Sequence, residues 1–411
     1  MVFGKKGSAS VFLIMITAVM FSLVFAYITA AGKIAGTGYS DSILNLAGRS
    51  VLSEFDKALM DEYGIFAFRG NEHEIKEKFS YYADYTFEKN ERVRLLSLDV
   101  DNSRHSLANV DIFESAVTDY MKYAFARGLV DDVIGTMEPT NNDPEKNSQE
   151  ESKDRDHILR NERVINSLPS GELSKNGNIL ETVKEGISSW QDALKKGSTN
   201  YFTNRYILMN FKNAQNREIN RETFFSYEAE YIISGSLDDR ENKSKFRVML
   251  FSLRNVINYI HIFSDPVKRA ELMAAAELIT PGPAGLVTQL ILAEAWALAE
   301  SENDIRLLEN GKKVPVYKTK ETWAVDLDSI VKGTENGYID THVKSGLDYQ
   351  GYLQIFLFFQ DRATKITRIM DLIQINIQGN HDKTFLIKDH NCGFSFKANV
   401  DGRQFYYDEE Y

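Results

Sequence analysis

The longest charge-free run in the chain lies near its start. No residue from 7 to 32 carries a charge, and the stretches 11–16 and 23–28 are almost wholly apolar. Read as a helix rising about 1.5 Å per residue, residues 10–31 cross the roughly 30 Å hydrocarbon layer of a bilayer with length to spare. A helix satisfies its own backbone hydrogen bonds in that layer, which a lipid-exposed strand cannot do. Lys5 and Lys6 stand just before the span, so the positive-inside tendency predicts a cytoplasmic tail over residues 1–9 and a long extracytoplasmic remainder. Lys33 and Arg49 beyond the span reduce that bias. Two alternatives share the pattern. A cleavable signal peptide also has a basic start and small residues near its end, here Thr29, Ala30 and Ala31, although its apolar core is usually shorter. A buried helix of a soluble domain would more often be interrupted by charge over such a length.

Beyond the span the pattern changes. Gly32, Gly36 and Gly38 are weak helix formers and predict a flexible kink, with Gly32 and Gly36 also forming a small-xxx-small pair. Leu44, Ala47, Val51, Phe55 and Leu59 then recur at helical spacing and predict a second helix. Gly64 suits its C-terminal turn, and the apolar run to Phe68 suits a buried strand. A helix over 74–89, a strand over 92–100 and a long amphipathic helix over 112–137 complete a membrane-proximal α+β region, residues 32–137. Residues 138–157 are rich in Asn, Asp, Glu, Lys and Ser. They have too few apolar groups to offset their ordering entropy and read as a linker or loop.

Residues 158–411 read as a mainly helical body. Helices are predicted over 180–195, 242–263, 266–279 and 286–308, and one long helix over 353–377 packed along a single face. Short strands follow at 385–387 and 394–400, with a turn at Asp401 and Gly402. The stretch 272–299 rivals the first span in apolar content, but Glu277, Glu294 and two prolines in the breaker 280–285 interrupt it. It is predicted to be a hairpin of two buried helices. The fold class expected is therefore mainly α with smaller α+β parts: an N-terminal transmembrane helix followed by an extracytoplasmic helical body with short strands.

Composition narrows the function. The chain has 411 residues, 43% hydrophobic, with a formal net charge of -11. That balance argues against neutralising nucleic-acid phosphates, which takes clustered Lys and Arg. One cysteine, Cys392, cannot form an internal disulfide. His381, His390 and Cys392 are the nearest approach to a metal cluster, but their spacing matches no standard zinc pattern and a fourth ligand is missing. Surface or loop roles are expected for them, and Cys392 as a nucleophile would need a positioned base. No phosphate loop, nucleophile elbow or zinc-protease helix motif occurs. The paired acids Glu228 with Glu230, Asp238 with Asp239, and 408–410 are expected on solvated faces or at helix caps. Trp296, Glu300 and Asp304 share one helix face at four-residue spacing, which suits anchoring a neighbouring segment such as 312–323 by packing.

The start, Lys6-Gly7-Ser8-Ala9-Ser10-Val11-Phe12-Leu13, resembles the minor pseudopilins of tight-adherence pilus systems. The stretches 51–67, 120–123, 228–235, 296–304, 349–353 and 368–377 resemble an uncharacterised family of single-span proteins from Gram-positive bacteria. The resemblance implies membrane anchoring and association with a tight-adherence pilus or related secretion apparatus, and no known reaction. Pilin-like precursors cut after a glycine often carry Glu at the fifth mature position, whereas cutting after Gly7 would place Phe12 there. The resulting expectation is a structural or assembly component without catalytic, cofactor-binding or metal-binding residues. Its partners would be the lipid bilayer, through the N-terminal helix, and other envelope or pilus-assembly proteins, and no nucleic acid. The alternatives are an envelope enzyme with acids brought together by the fold, or an anchored ligand-binding module.

Overall fold

The glycines after the apolar run do not break it. A computed structural model describes residues 6–87, 94–127, 162–173, 178–187, 199–217, 219, 221–333, 339–343 and 345–411. In it one helix, α1 (Lys6–Leu52), carries the chain straight through Gly32, Gly36 and Gly38. The predicted kink therefore does not interrupt the helix. Each glycine costs about 1 kcal/mol relative to alanine, but helix propagation is cooperative, and no proline removes a backbone hydrogen bond. Ser10–Leu52 is long and apolar enough to cross a membrane, and its most apolar stretch, of mean hydropathy 2.6, is wholly unburied.

The chain continues through α2 (Lys57–Tyr63), β1 (Phe68–Arg69), α3 (Glu72–Phe87), β2 (Leu95–Asp101) and α4 (Val110–Ala126). Short helices α5 (Glu162–Asn166), α6 (Pro169–Leu173) and α7 (Ile179–Gly186) precede α8 (Thr199–Asn210) and α9 (Glu228–Ser234). The long helices α10 (Asp239–Ser264), α11 (Pro266–Ile279) and α12 (Gly285–Glu309) follow. Last come α13 (Leu327–Lys332), α14 (Tyr349–Phe359), α15 (Arg362–Asn380), β3 (His390–Asn391), β4 (Gly393–Val400) and β5 (Arg403–Glu410). The expected linker 138–157 lies outside the described residues, as do the ends predicted for the helices over 74–89, 112–137 and 180–195.

These elements form two compact units. The first draws on Met1–Lys57, Phe66–Leu107 and Lys388–Tyr411, the second on Ala58–Ile65 and Ala108–Ile387. The division is not the linear one expected, with a region to 137 and a body from 158. Strands β4 and β5 leave the C-terminal body and join the first unit, where β2, β4 and β5 form an antiparallel sheet in that order. β2 lies at an edge and β4 is buried along most of its length, so β4 needs partners on both sides. The β4–β5 turn at Asp401 and Gly402 places both residues at positive φ, 50° and 81°, as a two-residue hairpin requires.

In the first unit, Ile43, Leu44, Ala47, Val51 and Leu52 of α1 pack with Phe79 of α3 and with Phe394 and Phe396 of β4. The Phe79 and Phe396 rings lie 4.5 Å apart between centroids. The predicted strand over 385–387 is not one: Phe385 is buried in a loop, and Ile387–Asp389 forms a 3-10 turn that leads into β3.

The second unit is helical. The long helix predicted over 353–377 is two, because Gln360 turns extended (φ −62°, ψ 138°) and the Asp361 carboxylate caps the next helix, accepting from Thr364 N at 2.9 Å. Nor does α15 pack along one face, for every residue from Thr364 to Gln378 is buried. Its polar positions are met from all sides. Lys365 Nζ donates to the Asn204 side chain at 2.9 Å and to the Leu357 carbonyl at 3.0 Å. Arg368 donates to the carbonyls of Ile232 and Ile233, and Asp371 accepts from the Tyr231 hydroxyl at 2.8 Å.

Candidate functional site

The stripe Trp296, Glu300 and Asp304 on α12 meets α10 on one side and the segment 312–325 on the other. Arg254 on α10 reaches Asp304 with Nε and Nη2, each 2.9 Å from Oδ2. Its Nη1 donates to the carbonyls of Pro315 and Val316 and to the Tyr352 hydroxyl, at 3.1, 2.8 and 3.0 Å. Asn258, one turn further along α10, donates to Ser301 and Asp304 at 3.0 Å. Lys318 then inserts its ammonium between Glu300, with which it hydrogen-bonds, and Asp304 Oδ1 at 2.6 Å. Glu300 also accepts the backbone N–H groups of Ala324 and Val325, the second at 2.7 Å.

Arg254 and Asp304 side chains are 0% exposed, and Lys318 and Glu300 1% and 0%. Such charges are tolerated only when paired and hydrogen-bonded, and here two cations face two carboxylates. Burial works against the Arg254 charge, yet Tyr352 and Asp304 hold its pKa above the usual value. Burial pushes the Glu300 carboxyl up against the pull of Lys318.

The aromatic end of the stripe closes the arrangement. Trp296 and Trp323 both donate their indole N–H to the Val325 carbonyl at 2.8 Å. Lys268 from α11 sits 4.4 and 3.9 Å from the centroids of these two rings, within the range of cation–π attraction. Burial lowers its ammonium to about 8 against the opposing pull of Glu300. The expected packing role of Trp296, Glu300 and Asp304 thus has a physical form. The cluster clamps 312–325 onto three helices, and its charged groups are closed off from any solute. Arg254, which completes it, has no local mark of its role in the sequence: it lies between Leu250 and Ile257 on the buried stripe of α10, and nothing within a few residues points to Asp304.

The remaining candidates fare differently. Glu228 and Glu230 are not on a solvated face but fully buried. Glu228 accepts from Lys212 N at 2.8 Å and the Asn376 amide at 2.7 Å, and Glu230 from Ala214 N at 2.9 Å and the Tyr349 hydroxyl at 2.8 Å. A two-residue helical spacing normally points side chains to different faces, and here α9 is enclosed on all of them. Burial pushes Glu230 up to about 7. Asp238 does cap α10, accepting from Glu241 N at 3.0 Å, and Asp239 accepts from Ser226 N and Tyr227 N.

His381 pairs with Glu62 at 2.5 Å in the second unit. His390 and Cys392 belong to the first, where His390 is buried rather than superficial, 3.5 Å from Asp56. Burial pushes the Cys392 thiol up to about 12, the opposite of what a nucleophile needs. No group of three His, Cys, Asp or Glu suited to a metal ion occurs among the described residues.

One constellation escaped the sequence. His105 Nε2 lies 2.8 Å from Asp408 and 3.4 Å from the Ser395 hydroxyl, which itself donates to Asp408. These are the residue types of a hydrolytic triad, but one ring nitrogen serves both neighbours. A triad needs the base nitrogen toward the serine and the other toward the acid, so this set ties β4 to β5 and to the 102–107 loop.

No curated protein and no solved structure matches the chain. Residues 142–402, well over half of the 411, match DUF5702, a family of unknown function, and the chain belongs to that family.

Proposed function

We propose that this chain is a membrane-anchored structural or assembly component of a tight-adherence pilus-like or related secretion apparatus. Its N-terminus lies in the cytoplasm and its two units lie outside. The observation that carries the reading is α1. Its apolar stretch contributes nothing to the core, while its C-terminal turns, Ile43 to Leu52, are core residues of the first unit. One rigid element therefore links the bilayer to the fold, as an anchor would, and an exposed surface of that apolarity needs lipid or protein cover. The buried charged groups Arg254, Asp304, Lys318 and Glu300 are taken up in mutual pairing, which suits a contact-making body.

Protease added to intact cells tests the orientation: the body should be digested from outside, and resistance in cells with sensitivity after lysis overturns it. Mass spectrometry of the mature N-terminus should find the start intact. A start at Ser8 would point to pilin-like processing, and one near Gly32 to a released body. Crosslinking in cells should capture envelope or secretion components, and capture of none removes the assembly role.

A further inference from the structure

The hairpin of α11 and α12 is present as the sequence suggested, but it is buried only at its base. Leu272, Ala276, Ala293, Trp296 and Ala297 pack inside, whereas the tip points its apolar residues into solvent. Leu278 and Ile279 end α11 with 85% and 50% exposure, and Leu286, Val287, Leu290 and Ile291 open α12 with 64%, 61%, 46% and 63%. No residue from 278 to 293 is charged, and Glu277 and Glu294 mark the limits.

We propose that this tip is a second lipid contact, inserted shallowly into the interfacial layer of one leaflet of the bilayer that α1 crosses. The inference rests on the reading of α1 as an anchor, which keeps a bilayer within reach of the tip. Three features favour lipid over a protein groove. The exposed side chains belong to the ends of two helices and, on α12, span a face about 140° wide at about 100° per residue, so covering them takes a broad surface and not a narrow groove. The sixteen consecutive positions from 278 to 293 carry no charge, so when Leu278, Ile279, Leu286 and Val287 enter the headgroup–acyl boundary the one charge at the tip is the Glu277 carboxylate, which accepts from Gly282 N and is kept at headgroup level. The turn pairs several of its N–H groups and its two threonine hydroxyls internally, which lowers the cost of leaving water. Gly282 N donates to Glu277 at 3.1 Å, Gly285 N to the Gly282 carbonyl at 2.9 Å, Thr280 N to the Ala276 carbonyl at 2.8 Å, and Thr288 to Thr280 between hydroxyls at 2.9 Å. With Ala293 buried at the base, positions 286–291 reach about 9 Å at about 1.5 Å per residue, which suits the roughly 5–10 Å depth of an interfacial contact and is too short to cross the bilayer. The tip carries no cation, so its attachment should depend on apolar burial and not on anionic headgroups.

The test uses the full chain reconstituted in phosphatidylcholine vesicles with brominated acyl chains. An environment-sensitive fluorophore is attached at Val287→Cys or, in a separate sample, at Phe21→Cys within α1. The proposal expects both probes to shift to the blue and lose emission to bromine. It also expects the tip response alone to vanish in Leu286→Asp/Ile291→Asp, with the thermal midpoint unchanged because both side chains are exposed. A quenched Phe21 probe beside an unquenched tip probe overturns the inference and leaves the anchor standing. That holds whether the tip stays in water or is shielded by another copy, the latter seen as a blue shift without quenching. Failure of both probes overturns the anchor reading as well.

Discussion

Arg254 and Asp304 meet where neither side chain touches water, with two guanidinium nitrogens 2.9 Å from the same carboxylate oxygen. Asp304→Ala leaves Arg254 and Lys318 with Glu300 as the only carboxylate of the cluster. Breaking a buried pair in this way costs about 3–5 kcal/mol, and thermal unfolding followed by circular dichroism should show it. Arg254→Met combined with Asp304→Leu should cost less than the sum of the two single changes, because no charge is then left alone. Additive losses would mean that the pair is not coupled.

Glu230 gives the second unit a pH dependence. Its carboxyl is pushed from 4.5 up to about 7 by burial, so between those values the unfolded chain gives up its proton first and stability falls as pH rises. Glu230→Gln keeps an oxygen for Ala214 N and the Tyr349 hydroxyl and places its amide where Oε2 has no hydrogen-bond partner. The difference between wild type and variant should change by up to about 3 kcal/mol across that window. Asp371, pushed up to about 6, leaves part of the slope in the variant. Denaturant titrations at pH 4.5 and 7.5 measure it, and parallel pH profiles would refute the assignment.

Two glycines should respond in opposite directions to alanine. Gly64 ends α2 at φ +67°, and a Cβ there would overlap the ring of Tyr120. Gly64→Ala should destabilise the second unit by about 1–3 kcal/mol. Gly36 is helical with nothing within 4 Å of a Cβ, so Gly36→Ala should slow amide exchange around it by the equivalent of about 0.5–1 kcal/mol. Unchanged exchange would mean that α1 opens there by another route.

Cys392 should be inert while the chain is folded. At pH 8 a thiol titrating near 12 is almost wholly protonated, so thiol reagents should modify it only after denaturant is added. Reaction at the rate of a free thiol in the native protein would contradict the packing around β3 and β4.

Much of the secondary structure was legible because it depends on local spacing. The apolar span, the helix over 266–279 and the Asp401–Gly402 turn are set by residues a few positions apart, and α11 matches its expected limits. The stripe of Trp296, Glu300 and Asp304 was visible for the same reason. Its partner segment 312–323 was legible too, and it supplies Lys318 and Trp323, whereas Arg254 was not, since it arrives from 50 positions away along the chain, counted from Asp304. The break at Gln360 was hidden because both flanking segments are apolar and the only local signal is one capping aspartate.

What the sequence determined by itself is the long apolar helix near the N-terminus and the predominance of helix after it, for hydrophobic periodicity acts within a few turns. Tertiary structure alone decided which polar residues are buried. Glu228, Glu230, Lys365 and Asp371 look like solvent-facing positions until distant carbonyls, amides and hydroxyls surround them. It also decided that α1 passes unbroken through three glycines into a core completed by β4, more than 300 residues later, and that the apolar tip of the α11–α12 hairpin stays uncovered.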